Sequence, residues 1–129
     1  MRLYLVRHAE AAAGEPDELR ALSDRGHEQS RELGDRLAKD GVRPAVVLAS
    51  PLLRARQTAS ALARALECPC DTDDRLAPGA TPEQIVAAAS ERGETVVAVG
   101  HQPDCGLAVA ALAGAPADFP PAGLAVLDV

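Results

Sequence analysis

Two histidines and two arginines are the side chains best placed to do chemistry. Arg7 and His8 follow the apolar run Leu3 to Val6, Arg54 lies just past the run that ends at Ala49, and His101 follows Gly100 after Thr95 to Val99. Guanidinium groups match phosphate oxygens in a bidentate fork. One imidazole beside them could attack phosphorus, and the other could hydrogen-bond the oxygens. A helix beginning at Pro51, and a second near Gln102, would aim backbone N–H groups and positive dipole ends at the same anion. A metal fits this set poorly. His8 and His101 would need a third ligand, no HxxxH or HxH spacing occurs, and the arginines would repel a cation.

The elements that must position these residues read as strands alternating with helices. Leu3 to Val6, Ala45 to Ala49 and Thr95 to Val99 are short apolar runs suited to strands buried on both faces. Ser23 reads as the N-cap of a helix, with Asp24 at its positive end. Gly26, Ser30, Leu33, Gly34 and Leu37 form one face, and Gly41 stops it. Ser50-Pro51 reads as N-cap and first residue of a second helix, whose core stripe is Leu52, Ala55, Ala59, Leu62 and Leu66. Cys68 to Thr72 is a short edge strand, as Pro69 suggests. Thr81-Pro82 opens a third helix running to about Arg92 and ending at Gly93. A small helix covers Pro103 to Ala113, and Leu124 to Val129 closes the sheet after a Pro-Pro turn. The fold class that follows is α/β, a three-layer sandwich with a mostly parallel central sheet and helices on both faces. All three chemistry-bearing sites then stand at carboxyl ends of strands, where such folds bind ligands.

Composition narrows the class further. The 129 residues suit one domain, 1–129, and thirteen Lys and Arg against nineteen Asp and Glu give a net charge of −6. That balance argues against binding a nucleic-acid backbone, and Tyr4 and Phe119, the only aromatic residues, provide no stacking platform. No apolar run approaches a membrane span, and Leu3 to Val6 is too short for a signal-peptide core, so no membrane role and a cytoplasmic location are expected. Cys68, Cys70 and Cys105 lack the spacing of a redox or zinc motif and read as free, buried thiols. His27 reads as solvated on a charged helix face, and Glu10 either touches the pocket or is an exposed loop carboxylate.

Four segments in order complete the pattern. Leu5-Val-Arg7-His8-Ala-Glu10 resembles the R-H-G/A signature of the histidine phosphatase superfamily, the phosphoglycerate-mutase-like fold. Leu22-Ser-Asp-Arg-Gly26-His-Glu-Gln29 is similar to its L-[ST]-x-x-G-x-x-Q segment. Ser50-Pro-Leu-Leu-Arg54-Ala-Arg-Gln-Thr58-Ala matches its S-x-x-x-R-A-x-Q-T-A motif, and Val97-Ala-Val-Gly100-His101 its late G-H element. Small size, the R-H-A-E form and Gly-His-Gln-Pro most resemble the SixA-type phosphohistidine phosphatases.

The resemblance implies that His8 is the nucleophile, transiently phosphorylated, and that Arg7, His8, Arg54 and His101 bind the phosphate, or vanadate in its place. It implies neither metal nor cofactor, since the arginines stabilise the developing charge. A nucleophilic imidazole must be neutral, and neighbouring guanidinium groups disfavour its protonated form. Arg56 competes with Arg54, because helical periodicity does not separate them; the motif favours Arg54. Gly26 reads as a packing residue that permits close helix approach near the pocket. Ester-cleaving relatives carry a glutamate after the third strand, but here that position falls at Ala77 or Pro78. Asp73, Asp74 or Glu83 could substitute, and none is assignable as general acid. A shallow pocket without a strong acid suits phosphohistidine on a histidine phosphotransfer or carrier protein, which makes the expected role one in signal transduction. The acidic surface suggests a partner with a basic patch. The alternatives are a small-molecule phosphomonoesterase, then a mutase, or a phosphate- or phosphoprotein-binding module without turnover.

Overall fold

Alternation along the strands sorts the apolar side chains into two cores. In the computed structural model, which describes residues 1–129, strand β1 (Arg2–Arg7) sends Leu3 and Leu5 to one face of the sheet and Tyr4 and Val6 to the other. Strands β2 (Val46–Ala49) and β4 (Thr95–Gly100) do the same, with Val46, Leu48, Val96 and Ala98 on the first face and Val47, Ala49, Val97 and Val99 on the second. Both faces are therefore apolar and must be covered.

Helices α1 (Asp24–Lys39) and α2 (Leu53–Leu66) cover the second face with Leu33, Leu37, Ala55, Ala59, Leu62 and Ala63. Helices α3 (Pro82–Ser90) and α4 (Asp104–Ala113) cover the first with Ile85, Ala88, Ala89, Cys105, Ala108 and Val109. Two further strands, β3 (Cys70–Thr72) and β5 (Leu124–Asp128), complete a sheet of order β3-β2-β4-β1-β5. Every pairing is parallel except that of β5, which runs antiparallel along β1. The three-layer α/β arrangement is the one predicted.

Element ends follow their local chemistry, with some shifts. Ser23 caps α1, its hydroxyl accepting from the Gly26 N–H at 3.1 Å. Thr81 and Gln84 form a capping box at α3, which ends at Ser90 rather than Arg92. The second helix begins at Leu53, not Pro51: the Ser50 hydroxyl accepts from the Leu52 N–H at 3.3 Å and also pairs with His101, and Leu52 remains extended. The fourth begins at Asp104. The expectation of three buried thiols is corrected: Cys105 is buried, and burial pushes its thiol up to about 12. Cys70 is exposed and Cys68 half-buried, because three-residue β3 sits at the sheet edge with β2 as its one neighbour.

Alanine and glycine let α1 and α2 approach closely. A Cβ on Gly34 would lie 2.8 Å from the Cβ of Ala65. Gly34→Leu must separate the helices and is expected to cost about 1–3 kcal/mol, read as a lower urea midpoint; an unchanged midpoint would show that this crossing is not tightly packed.

Candidate active site

Strands β2, β4 and β1 are adjacent and parallel, so their carboxyl ends share one edge of the sheet. Arg7 is in register with Gly100, and Ala49 with Val99. The residues that follow, His8, Ser50 and His101, therefore leave the sheet side by side. Helices α2 and α4 start from the same edge and bring their positive ends to it.

His8 is anchored by its backbone N–H, which donates to Gly100 O at 3.0 Å. Its ring Nδ1 lies 2.7 Å from Ala9 O. A carbonyl only accepts, so the proton is on Nδ1 and Nε2 keeps its lone pair. The rings of His8 and His101 lie 5.2 Å apart, inclined at 59°. Burial is the main cause holding His8 below the ordinary histidine range, with Arg54 and Arg7 adding to it. His101 is pushed down to about 4, again by burial first and then by His8 and Arg54. Its Nε2 pairs with Ser50 Oγ at 2.7 Å.

Two guanidinium groups flank the imidazoles. Arg7 Nη1 donates to Phe119 O at 2.8 Å, while Arg7 Nε is buried with no protein partner. Arg54 is 8% exposed. It donates from Nη1 to Asp17 O at 2.9 Å and from Nη2 to Asp17 Oδ2 at 3.2 Å. Arg56, the competitor, is exposed on the other side of α2. Asp17 was not foreseen. It opens a three-residue 3-10 helix, Asp17–Leu19, and hydrogen bonds from Arg20 and Arg54 hold its carboxyl below the usual range.

The remaining motif residues hold the loop after His8. Ala9 N donates to Thr58 Oγ1 at 3.0 Å, and Thr58 donates in turn to Arg54 O at 2.8 Å. Glu10 N donates to Gln29 Oε1 at 3.0 Å, and Leu22 N to Gln57 Oε1 at 2.7 Å. Ser23 Oγ reaches Glu10 Oε1 at 3.0 Å, so this carboxylate is occupied by α1's cap. Gly26 is indispensable in a specific way: a Cβ there would fall 2.0 Å from Glu10 O. The close approach it permits is of α1 to the backbone of this loop. His27 is half-buried rather than solvated, between α1 and α2.

Carboxylates beyond β3 have structural partners. Asp73 accepts from Arg75 at 2.8 and 3.0 Å, and Arg75 also pairs with Glu91 at 2.8 Å. That pairing holds Asp73 below the usual carboxylate range. Asp74 and Glu83 are exposed. Buried Asp104 accepts from the N–H groups of Gly79 and Ala80, fixing the turn that contains Ala77 and Pro78. No group of three or more His, Cys, Asp or Glu side chains is arranged to hold a metal ion.

Comparison with known proteins agrees with this geometry. Residues 3–78 match the family model of the histidine phosphatase superfamily (branch 1). Phosphohistidine phosphatase SixA of Escherichia coli strain K12 is 30% identical over 128 residues, covering 94% of this chain and 78% of the relative. The structure of the protein histidine phosphatase SixA complexed with tungstate superposes with a TM-score of 0.88 at 29% identity, over 98% of this chain and 86% of that one. A putative SixA from Agrobacterium tumefaciens gives 0.85 at 34% identity, over 98% and 90%.

Two outcomes follow from the site. Arg54→Ala should lower phosphatase turnover by ~10²–10³-fold, the usual cost of one preorganised donor, while Arg56→Ala leaves it within about threefold; equal losses would refute the separation of the two. The pH profile of kcat/KM should have its acid limb below pH 6.5. Burial favours neutral His8, so activity persists below that value and falls only when the ring protonates. A limb above 6.5 would contradict the burial effect, and NMR titration of the ring protons would assign it.

Proposed function

The chain belongs to the histidine phosphatase superfamily, and we propose that it hydrolyses protein-borne phosphohistidine by way of a phosphoryl group carried on His8. It is a SixA-like phosphatase. The finer reading rests on the state of the carboxylates around the site. Two carboxylates are held ionised by arginine, Asp17 by Arg20 and Arg54 and Asp73, beyond β3, by Arg75, while Asp74 and Glu83 are exposed. A carboxylate held below its usual range is a poor proton donor at neutral pH.

In this mechanism Nε2 of His8 attacks phosphorus in line with the bond to be broken. The ring gains positive charge as the P–N bond to Nε2 forms, and the Nδ1–H bond to Ala9 O strengthens accordingly. Arg7 Nε and the Arg54 guanidinium take the equatorial oxygens, Arg54 exchanging its bonds to Asp17 for phosphate. Their charge does the work a metal would do, so activity should not need one. His101 donates from Nδ1, provided Ser50 donates its hydroxyl proton to Nε2. Water then attacks the phosphoryl group, the bond to His8 breaks, and inorganic phosphate leaves.

The substrate's imidazole departs as a neutral ring once its other nitrogen is protonated, which an alkoxide cannot match. The E. coli relative's name specifies the same substrate class. A histidine phosphotransfer or carrier protein is the natural bearer, and a cytoplasmic signalling role goes with it.

A turnover panel tests the proposal. kcat/KM on a phosphohistidine protein should exceed that on phosphoserine or sugar phosphates by at least ~10², the lower range of what a general acid contributes. Aryl phosphates should fall between, and His8→Ala should abolish turnover of all of them. Equal rates on alkyl phosphates would mean that an acid is present, and small-molecule ester hydrolysis would become the better reading.

A further inference from the structure

Outside the catalytic edge, six Arg and Lys side chains of this acidic chain reach no carboxylate, and three of them gather in one place. Six arginines, at positions 2, 20, 25, 54, 75 and 92, each reach a carboxylate. Arg31, Arg36, Lys39, Arg43, Arg56 and Arg64 do not; Arg36 and Lys39 line another hollow together with Glu32 and Asp35, whereas Arg31, Arg56 and Arg64 line one groove of about 420 Å³ between α1 and α2. His27 and Ser60 line it with them, and no carboxylate does, although α1 carries Glu28, Glu32 and Asp35. Three exposed arginines in one groove whose lining holds no carboxylate, in a chain of net charge −6, form a local field opposite to the whole.

The spacing identifies the occupant. Arg56, Ser60 and Arg64 stand at i, i+4 and i+8 on α2, and His27 and Arg31 at i and i+4 on α1. At 1.5 Å rise per residue the α2 row extends about 12 Å. That is too long for one phosphate and matches carboxylates repeated every fourth residue along another helix. The groove also adjoins the catalytic edge. Leu53, beside Arg54, lines it, and so does Gln57, whose side chain holds the Leu22 N–H.

We propose that the α1/α2 groove docks an acidic helix of the partner protein, so that the phosphorylated side chain of that protein is presented to His8. The identification of the partner as the substrate rests on the function proposed above; the acidic helix does not. This differs from the expectation, drawn from net charge alone, of a partner with a basic patch.

The test uses the full chain and a synthetic, phosphate-free helical peptide with Glu at i, i+4 and i+8, together with its Lys counterpart. NMR titration at low salt should shift signals of α1 and α2 with the Glu peptide only. The affinity should fall at least about tenfold when the salt is raised to 0.3 M, or in Arg31→Glu/Arg64→Glu. That variant should keep its kcat/KM on an aryl phosphate, which also shows that it folds. On a chemically phosphorylated histidine phosphotransfer domain its KM should rise at least about tenfold with kcat unchanged. Arg31→Gln/Arg64→Gln should have a smaller effect in the same direction. Absence of Glu-peptide binding, equal binding to wild type and variant, or binding only of anionic lipid vesicles or single-stranded RNA would overturn the proposal. If the peptide binds in the groove while wild type fails to turn over phosphohistidine, the docking site stands and the substrate assignment falls.

Discussion

Parallel pairing of β2, β4 and β1 is the constraint on which the rest of the structure depends. Strands in that relation must end on one edge, and their buried faces leave no freedom of register. A slip of one residue would exchange the two apolar faces and carry Arg7 away from Gly100. The reactive groups are therefore fixed by the hydrophobic pattern of the strands beneath them. His8 and His101 need no long lever arm, because each is attached within one residue of a core strand.

Such closeness brings cations into a desolvated place, and the surrounding contacts offset that cost. Arg54 is nearly buried yet spends its donors on Asp17, and Arg7 spends one on Phe119 O. Buried, unpaired charge is strongly unfavourable, so an anion that replaces Asp17 at Arg54 meets a site already ordered for negative charge. The same desolvation keeps both imidazoles neutral. Burial thus serves two ends, strengthening the field around Arg7 and Arg54 and preserving the lone pair on His8 Nε2.

Most of the remaining polar motif residues act through position. Thr58 joins the Ala9 backbone to that of Arg54, so the loop after His8 is tied directly to the helix that carries Arg54. Gln29, Ser23 and Gly26 tie α1 to Glu10. The cap of α1 and the alignment of His8 are consequently the same piece of structure. Change at any of these residues is felt at Nε2 although none of them touches it.

Much of this was legible in the chain itself. Short continuous apolar runs at Leu3 to Val6, Ala45 to Ala49 and Thr95 to Val99, and helical periodicity between them, specify the layers, because a strand covered on both faces is apolar at successive positions. The edge on which Arg7, His8, Arg54 and His101 gather also follows from strand–helix alternation. Other features depend on tertiary structure. Arg54 and Arg56 both flank the apolar stripe of α2, and periodicity treats them alike; only the packing of that helix turns one toward the histidines and the other outward. Asp17 is 37 residues from its partner Arg54, and Ser50 is 51 from His101. Ser50, read locally, is an N-cap; in the fold its hydroxyl joins the Leu52 N–H to His101, and the helix starts at Leu53. The exposure of Cys70 likewise follows from the place of β3 at the sheet edge. Local sequence sets backbone periods, whereas a side chain's partner across the sheet is chosen by strand order and close packing, which no short stretch of chain contains.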